Sequence, residues 1–187
     1  MENLLCDRPD EYVQEVLVSE DEIRTRVMEL GQRISEDYRG KDLVMVCMLK
    51  GAMVFISDLM RNISLPVELD CMAVSSYGNS TIPSGELLVS KDLGLDICGK
   101  HVLIVEDIVD TGHTLCLVKK MLHGRNPASL KVCTLLNKPD RRKCDVVPDY
   151  NGFTIEDKFV VGYGLDYAER LRNLPYIGVV KDELWMK

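Results

Sequence analysis

The stretch from Val102 to Leu115 (Val-Leu-Ile-Val-Glu-Asp-Ile-Val-Asp-Thr-Gly-His-Thr-Leu) concentrates side chains that do chemistry. An apolar run reads as a buried strand and ends in two adjacent carboxylates, Glu106 and Asp107. A third carboxylate, Asp110, follows, and Thr111-Gly112-His113-Thr114 opens a helix. The turn and helix start offer backbone N–H groups and hydroxyls to a phosphate, where the helix dipole also favours negative charge. Glu106 and Asp107 are acceptors suited to a pair of sugar hydroxyls. Asp110, at the mouth of the loop, is placed for general acid or base work. Together these parts fit a sugar that carries phosphates. Each also has a plainer reading, since Asp and Thr are ordinary helix caps and an acidic pair is an ordinary solvated strand end. Neighbouring carboxylates repel each other, so a cation or hydroxyl donors give the stronger reason for the pair. The loop is not a Walker A motif, because G-x-x-x-x-G-K-[ST] is absent.

The elements that must hold these residues are legible from spacing. Ser19-Glu20-Asp21-Glu22 is a capping box, and Ile23, Val27, Leu30 and Ile34 recur at helical intervals, predicting a helix over 20–38. Leu43 to Leu49 is a near-continuous apolar run, as expected of a strand covered on both faces. A helix over 51–61 and a strand over 67–75 follow. Residues 76–93 are polar and turn-rich before becoming more apolar, which predicts a functional loop or a loose hairpin. Next come a strand over 102–106, a helix over 113–123, the turn Gly124-Arg125-Asn126-Pro127 and a strand over 130–136. This alternation predicts an α/β fold with a central, mostly parallel sheet flanked by helices. Such sheets bind ligands beyond the carboxyl ends of their strands. Lys50, Glu106, Asp107 and Lys138 each follow an apolar run directly and should meet along that edge.

The bulk numbers bound the function. A chain of 187 residues fits one domain spanning 1–187, and 46% apolar with 28% charged residues is ordinary for a globular protein. A net charge of −7 disfavours non-specific nucleic-acid binding. No apolar run is long enough to span a bilayer, and the N-terminal residues lack the basic start and apolar middle of a signal peptide, so no membrane partner is expected. The seven cysteines include no C-x-x-C pair, and Cys47, Cys71 and Cys133 sit inside apolar runs. That usage suits a reducing, cytoplasmic location. His101, His113 and His123 have no ligand-like spacing, so a structural zinc site is not expected.

The strand, acidic pair and Thr-Gly-His-Thr turn resemble the phosphoribosyl-diphosphate (PRPP) signature of the type I phosphoribosyltransferases. Leu49-Lys50-Gly51, Ser76-Tyr77, Leu136-Asn137-Lys138-Pro139 and Lys158-Phe159-Val160-Val161-Gly162-Tyr163-Gly164-Leu165-Asp166-Tyr167 follow in that family's order and spacing. They are similar to its 6-oxopurine branch, the hypoxanthine or hypoxanthine-guanine phosphoribosyltransferases in their bacterial-like form. The similarity runs from about Tyr12 to about Val180.

The resemblance implies the family fold, in which both chain ends build a small hood over the sheet. It implies Mg²⁺-dependent transfer of phosphoribose from PRPP to a 6-oxopurine, with Asp110 as the general acid or base facing purine nitrogen 7. Glu106 and Asp107 then take the ribose hydroxyls, directly or through Mg²⁺, while Asp110, Thr111, Gly112, His113 and Thr114 take the 5′-phosphate. His113 departs from the lysine often found at its position. Lys50, Gly51 and Arg172 are implied for pyrophosphate, with a cis peptide before Lys50. Lys138, Phe159, Val160 and Asp166 are implied for the purine, and Asp166 also for a second Mg²⁺. Ser76 and Tyr77 match a mobile lid, and relatives form homodimers or homotetramers. Two alternatives stay open: a xanthine-preferring enzyme, and a PRPP-sensing regulator that binds nucleic acid on the same fold. The basic run Arg141-Arg142-Lys143 reads mostly as solvated face, and Trp185-Met186-Lys187 has no assigned role.

Overall fold

The structure, a computed structural model, describes residues 11–76 and 87–185. Strand β1 (Val13–Val18) leads into helix α1 (Glu20–Asp37). The capping box forms: Glu22 N donates to Ser19 Oγ at 3.4 Å, and Ser19 N donates to Glu22 Oε2 at 2.8 Å. Ile23, Val27, Leu30 and Ile34 turn one buried stripe inward, so helix spacing in the sequence becomes packing against the sheet.

The main sheet then assembles from β2 (Leu43–Leu49), β3 (Val67–Ser76), β4 (Leu87–Lys91), β5 (His101–Val109), β6 (Ser129–Asn137) and β7 (Tyr150–Thr154). Its spatial order is β4-β3-β2-β5-β6-β7, parallel throughout except for β4, which returns antiparallel on β3. The antiparallel β3–β4 pair fits the hairpin reading of 76–93, of which 77–86 lie outside the described residues. Helices α2 (Ala52–Arg61) and α3 (His113–His123) make the crossovers. In the central strands, β2 buries every residue from Leu43 to Met48 and β5 buries Val102 to Val105, as strands covered on both faces must. A second, three-stranded antiparallel sheet joins β1 to β9 (Ile177–Val180) and β8 (Val160–Val161), followed by α4 (Asp182–Trp185). Chain ends therefore build the hood, around a small core of Val161, Leu174 and Val180. None of the described helices is long and apolar enough to cross a membrane.

One difference from the sequence reading matters for the site. The acidic pair does not end its strand, because β5 runs on to Val109. Pairing of β5 with β2 stops at Cys47↔Val105, while pairing with β6 continues through Glu106↔Thr134 to Val109↔Asn137. Past Val105 one edge of β5 is thus free of its neighbour, and Glu106 and Asp107 stand where β2 has turned away.

Candidate active site

The turn after β2 faces those carboxylates. The Leu49–Lys50 peptide bond is cis. Gly51 lies so close to Asp107 that a β-carbon there would overlap the carboxylate oxygen Oδ2, so only glycine fits the approach. Asp107 Oδ1 also accepts from Ile108 N at 2.9 Å.

Burial, and then the neighbouring Asp107, push the Glu106 carboxyl well above its ordinary range. Asp107 is raised to about 6, chiefly by burial, with Arg172 opposing the shift and Asp166 adding to it. Glu106 Oε2 is buried and has no hydrogen-bond partner among the described residues. A desolvated, unpaired carboxylate oxygen is costly, and a cation or a donated hydroxyl would remove that cost. Among the described residues, no three His, Cys, Asp or Glu side chains are arranged to hold a metal by themselves.

Four of the five phosphate-loop candidates, Asp110, Thr111, Gly112 and Thr114, line a cavity of about 110 Å³ together with Glu106, whereas the His113 ring is 2.9 Å from Cys144 Sγ and is not in its wall. The cavity is well below the roughly 300–1,000 Å³ of sites for whole organic ligands, and on the scale of a single anionic group. Gly112 adopts φ +81° at the N-cap of α3, a conformation open to glycine. The first-turn N–H groups of a helix have no intrahelical acceptors and point outward from such an end. Asp110 Oδ1 lies 3.2 Å from Arg141 Nε. A larger cavity, about 540 Å³, lies among α1, α2 and residues 163–175 with Arg172 in its wall and none of the loop or acidic-pair residues.

Lys50 and Arg172, the pyrophosphate candidates, are brought together by Glu169, whose Oε2 is 2.8 Å from Lys50 Nζ and 3.4 Å from Arg172 Nη2. Arg172 Nη2 also pairs with Asp166 Oδ1 at 2.8 Å, and its Nη1 donates to Gly164 O at 2.7 Å. Sequence reading had no role for Glu169. Its signal is only that it stands three residues before Arg172, and loop contacts between Lys50 and Glu169 have no local sequence mark.

Of the purine candidates, Lys138 follows β6, while Phe159, Val160 and Asp166 belong to the hood. Lys138 is 5% exposed, and its Nζ donates to Lys158 O at 2.6 Å with Asp157 Oδ1 at 3.6 Å. An ammonium has three donors, so one can still reach a ligand acceptor. The Phe159 ring lies edge-on to Tyr167, with centroids 5.9 Å apart, and is stacked on Trp185 at 5.5 Å. Val160 is buried in β8, paired with Val179. Asp166 Oδ2 caps the next turn by accepting from Glu169 N at 2.9 Å. Ser76 ends β3, and Tyr77 lies outside the described residues.

The basic run is not all solvated face. The turn Pro139–Arg141 folds back, so Arg141 meets Asp110 and, at 3.4 Å, Asp157, while Arg142 donates to Asn137 Oδ1. Lys143 is exposed, as expected.

Residues 16–168 match the family described as the phosphoribosyl transferase domain. The hypoxanthine phosphoribosyltransferase of Haemophilus influenzae is 51% identical over 169 residues, 89% of this chain and 94% of that one. A crystal structure of a hypoxanthine phosphoribosyltransferase from Staphylococcus aureus superposes with a TM-score of 0.91 at 48% identity, covering 94% of this chain and 96% of its own. The bifunctional protein TilS/HprT of Listeria monocytogenes is 46% identical over 173 residues; the chain spans 27% of that protein's length.

Proposed function

The chain belongs to the phosphoribosyltransferase family, in the branch of the hypoxanthine and hypoxanthine-guanine enzymes, and we propose that it transfers phosphoribose from PRPP to hypoxanthine and guanine, releasing pyrophosphate. The observation that carries this reading is the buried, unpartnered Glu106 oxygen beside Asp107, set between the phosphate-sized cavity and the Lys50-Gly51 turn. The site then divides along the sheet edge: pyrophosphate at Lys50, Gly51 and Arg172, ribose at Glu106 and Asp107, 5′-phosphate at Asp110 to Thr114, base at Lys138, Phe159 and Val160.

The reaction breaks the bond from the anomeric carbon to pyrophosphate as a purine ring nitrogen attacks. Positive charge develops on the sugar and negative charge on the leaving group, so positioning and fixed charge do most of the work. Lys50 and Arg172 supply counter-charge, and pyrophosphate must displace Glu169 from both. Asp110 manages the proton at purine nitrogen 7. Glu106 and Asp107 would hold one Mg²⁺ and Asp166 a second through their carboxylate oxygens, and the ions would supply positive charge against that growing on pyrophosphate. Ser76 and Tyr77 serve as the lid that excludes water, and the enzyme acts in the cytoplasm as one catalytic domain. Half-exposed Met53 on α2 offers apolar surface for a homodimer or homotetramer.

Nucleotide formation with PRPP, Mg²⁺ and each of hypoxanthine, guanine, xanthine and adenine tests the proposal. Turnover of hypoxanthine above adenine supports it; xanthine as the preferred base, or RNA binding without turnover, replaces it with one of the alternatives. Lys138 should set this order, because a site built around one hydrogen bond rejects a partner that leaves it unpaired. Lys138→Met is expected to lower kcat/KM for hypoxanthine by about 10² to 10³ and to narrow the hypoxanthine-to-adenine ratio. An unchanged ratio would remove Lys138 from base recognition.

Trp185 is the chain's single tryptophan, and it stacks on Phe159. Its emission should therefore change as IMP is titrated in. Trp185→Ala is expected to raise the hypoxanthine KM about 3- to 10-fold, the scale of one aromatic pair, with kcat little altered. Emission that ignores bound IMP would separate Trp185 from the base platform.

A further inference from the structure

We propose that Cys144 is a reactive thiol, modified reversibly by a hydroperoxide, with His113 as its base and Cys116 as its resolving thiol. Cys144 Sγ lies 2.9 Å from His113 Nδ1. A thiol and an imidazole in hydrogen-bond contact at a helix start form the arrangement that activates cysteine as a nucleophile. His113 is the first residue of α3, and Cys116 stands one turn later on the same helix, with the Cys144 side chain as a close neighbour. Both thiols are partly exposed, so a small oxidant can reach them.

The other cysteines set the contrast. Cys47 and Cys71 also neighbour each other across β2 and β3, but burial holds the Cys47 thiol up at about 12 and no histidine touches it among the described contacts. Cys133 is fully buried and its thiol is pushed up by burial. Burial and then Cys144 raise the Cys116 thiol, with Lys119 opposing and Asp145 adding. Cys144, in contact with the imidazole, therefore begins the chemistry, and Cys116 follows as the resolving thiol.

The steps balance. His113 takes the Cys144 proton, and the thiolate attacks one peroxide oxygen as the O–O bond breaks. Cys144 becomes a sulfenic acid, and the leaving oxygen departs as water or an alcohol with the proton from His113. The Cys116 sulfur then attacks the sulfenic sulfur, an S–S bond forms, the S–O bond breaks and water leaves with the Cys116 proton.

The consequence reaches the phosphate loop, and this part rests on the function proposed above. Lys143 N donates to Thr111 O at 2.9 Å, and a β-carbon at Gly112 would sit 3.7 Å from Cys144 Cβ. A disulfide from Cys144 to α3 would pin the loop to the segment that follows Lys138.

The test is peptide mapping of the full chain after brief hydrogen peroxide and alkylation, with Cys144→Ser, Cys116→Ser and His113→Gln in parallel. We expect a Cys116–Cys144 linked peptide in wild type, a dimedone-trapped sulfenic acid at Cys144 in Cys116→Ser, and about tenfold slower modification in His113→Gln. Oxidised wild type should show a raised KM for PRPP that dithiothreitol reverses, whereas Cys144→Ser keeps basal activity and ignores peroxide. Modification of exposed Cys98 ahead of Cys144, or absence of the linked peptide, overturns the proposal. Linkage with an unmoved KM overturns the coupling to the loop. Mapping needs no turnover, so it stands apart from the functional reading.

Discussion

Asp110→Asn is expected to lower kcat by about 10² to 10⁴ while the KM for PRPP stays within a few-fold of wild type. The amide keeps the shape of the side chain and its place at the mouth of the phosphate loop, and loses the ability to take or return a proton. Asp110 also pairs with Arg141 at 3.2 Å, so part of any loss could come from a released arginine. Arg141→Met separates the two causes. Its guanidinium is nearly half exposed, and exposed pairs contribute little, so a loss of less than about tenfold is expected. Single-turnover measurement at saturating PRPP reads the chemical step directly. Equal losses in the two variants would make the ion pair, and not proton transfer, the role of Asp110.

The double substitution Glu106→Gln with Asp107→Asn should make the free protein more stable and almost inactive. Both carboxyls are raised in the fold, Glu106 well above its ordinary value and Asp107 from 3.8 to about 6, mainly by burial. The folded protein therefore holds protons that the unfolded chain has already released. Stability is undiminished by Asp107 below pH 3.8, falls as pH rises through about 6 and stays lowered above it, with Glu106 extending the loss upward. Neutral amides never incur this cost. The double variant is expected to gain about 1 to 3 kcal/mol at pH 8, taking roughly 1.4 kcal/mol per pKa unit and discounting for residual solvation. At pH 4 the gain should vanish. Over the same change, kcat/KM for PRPP should fall by about 10³ or more, since the ribose hydroxyls and Mg²⁺ lose their acceptors. Calorimetric melting at the two pH values checks the first part, and a PRPP titration the second. A variant destabilised at pH 8 would mean that the pair is structural and that its charges are already compensated within the fold.

That trade-off explains why so much of the site was legible in the chain. A buried apolar run broken by costly carboxylates conflicts with its own local pattern, and such conflicts mark function. The regular elements were legible for a simpler reason, since α1, β2, α2, α3 and β6 carry clear periods and lie within a residue or two of their expected bounds. The failures have physical causes. The strand β5 extends to Val109 because β6 continues to pair with it, and partner choice is not written in the residues that pair. Strand β7, Tyr-Asn-Gly-Phe-Thr, contains two residues depleted in strands, so tertiary pairing with β6 overrides propensity. Strand β1, with Gln14 and Glu15 exposed, gains its place only against β9 at the other end of the chain.

Within the site, Lys50, the acidic pair and Lys138 could be placed because each ends an apolar run. Arg172, Asp166 and Phe159 could not be placed by spacing. Phe159 stands just before the two-residue β8, and Asp166 and Arg172 hang on irregular backbone between β8 and β9, where Tyr163, Ala168, Glu169 and Leu171 all take positive φ; only the family resemblance singled the three out. Glu169 and Trp185 escaped both approaches. Their partners, Lys50 for one and Phe159 for the other, are brought to them by the hood folding over the sheet.

Phosphorus NMR of the chain with PRPP, Mg²⁺ and hypoxanthine reads the transfer of phosphoribose to a 6-oxopurine directly. Pyrophosphate and IMP should appear in equal amounts, only when base is present, and at a rate that collapses in Asp110→Asn. Pyrophosphate released without base, or PRPP bound and unchanged in the presence of hypoxanthine and guanine, would contradict that transfer.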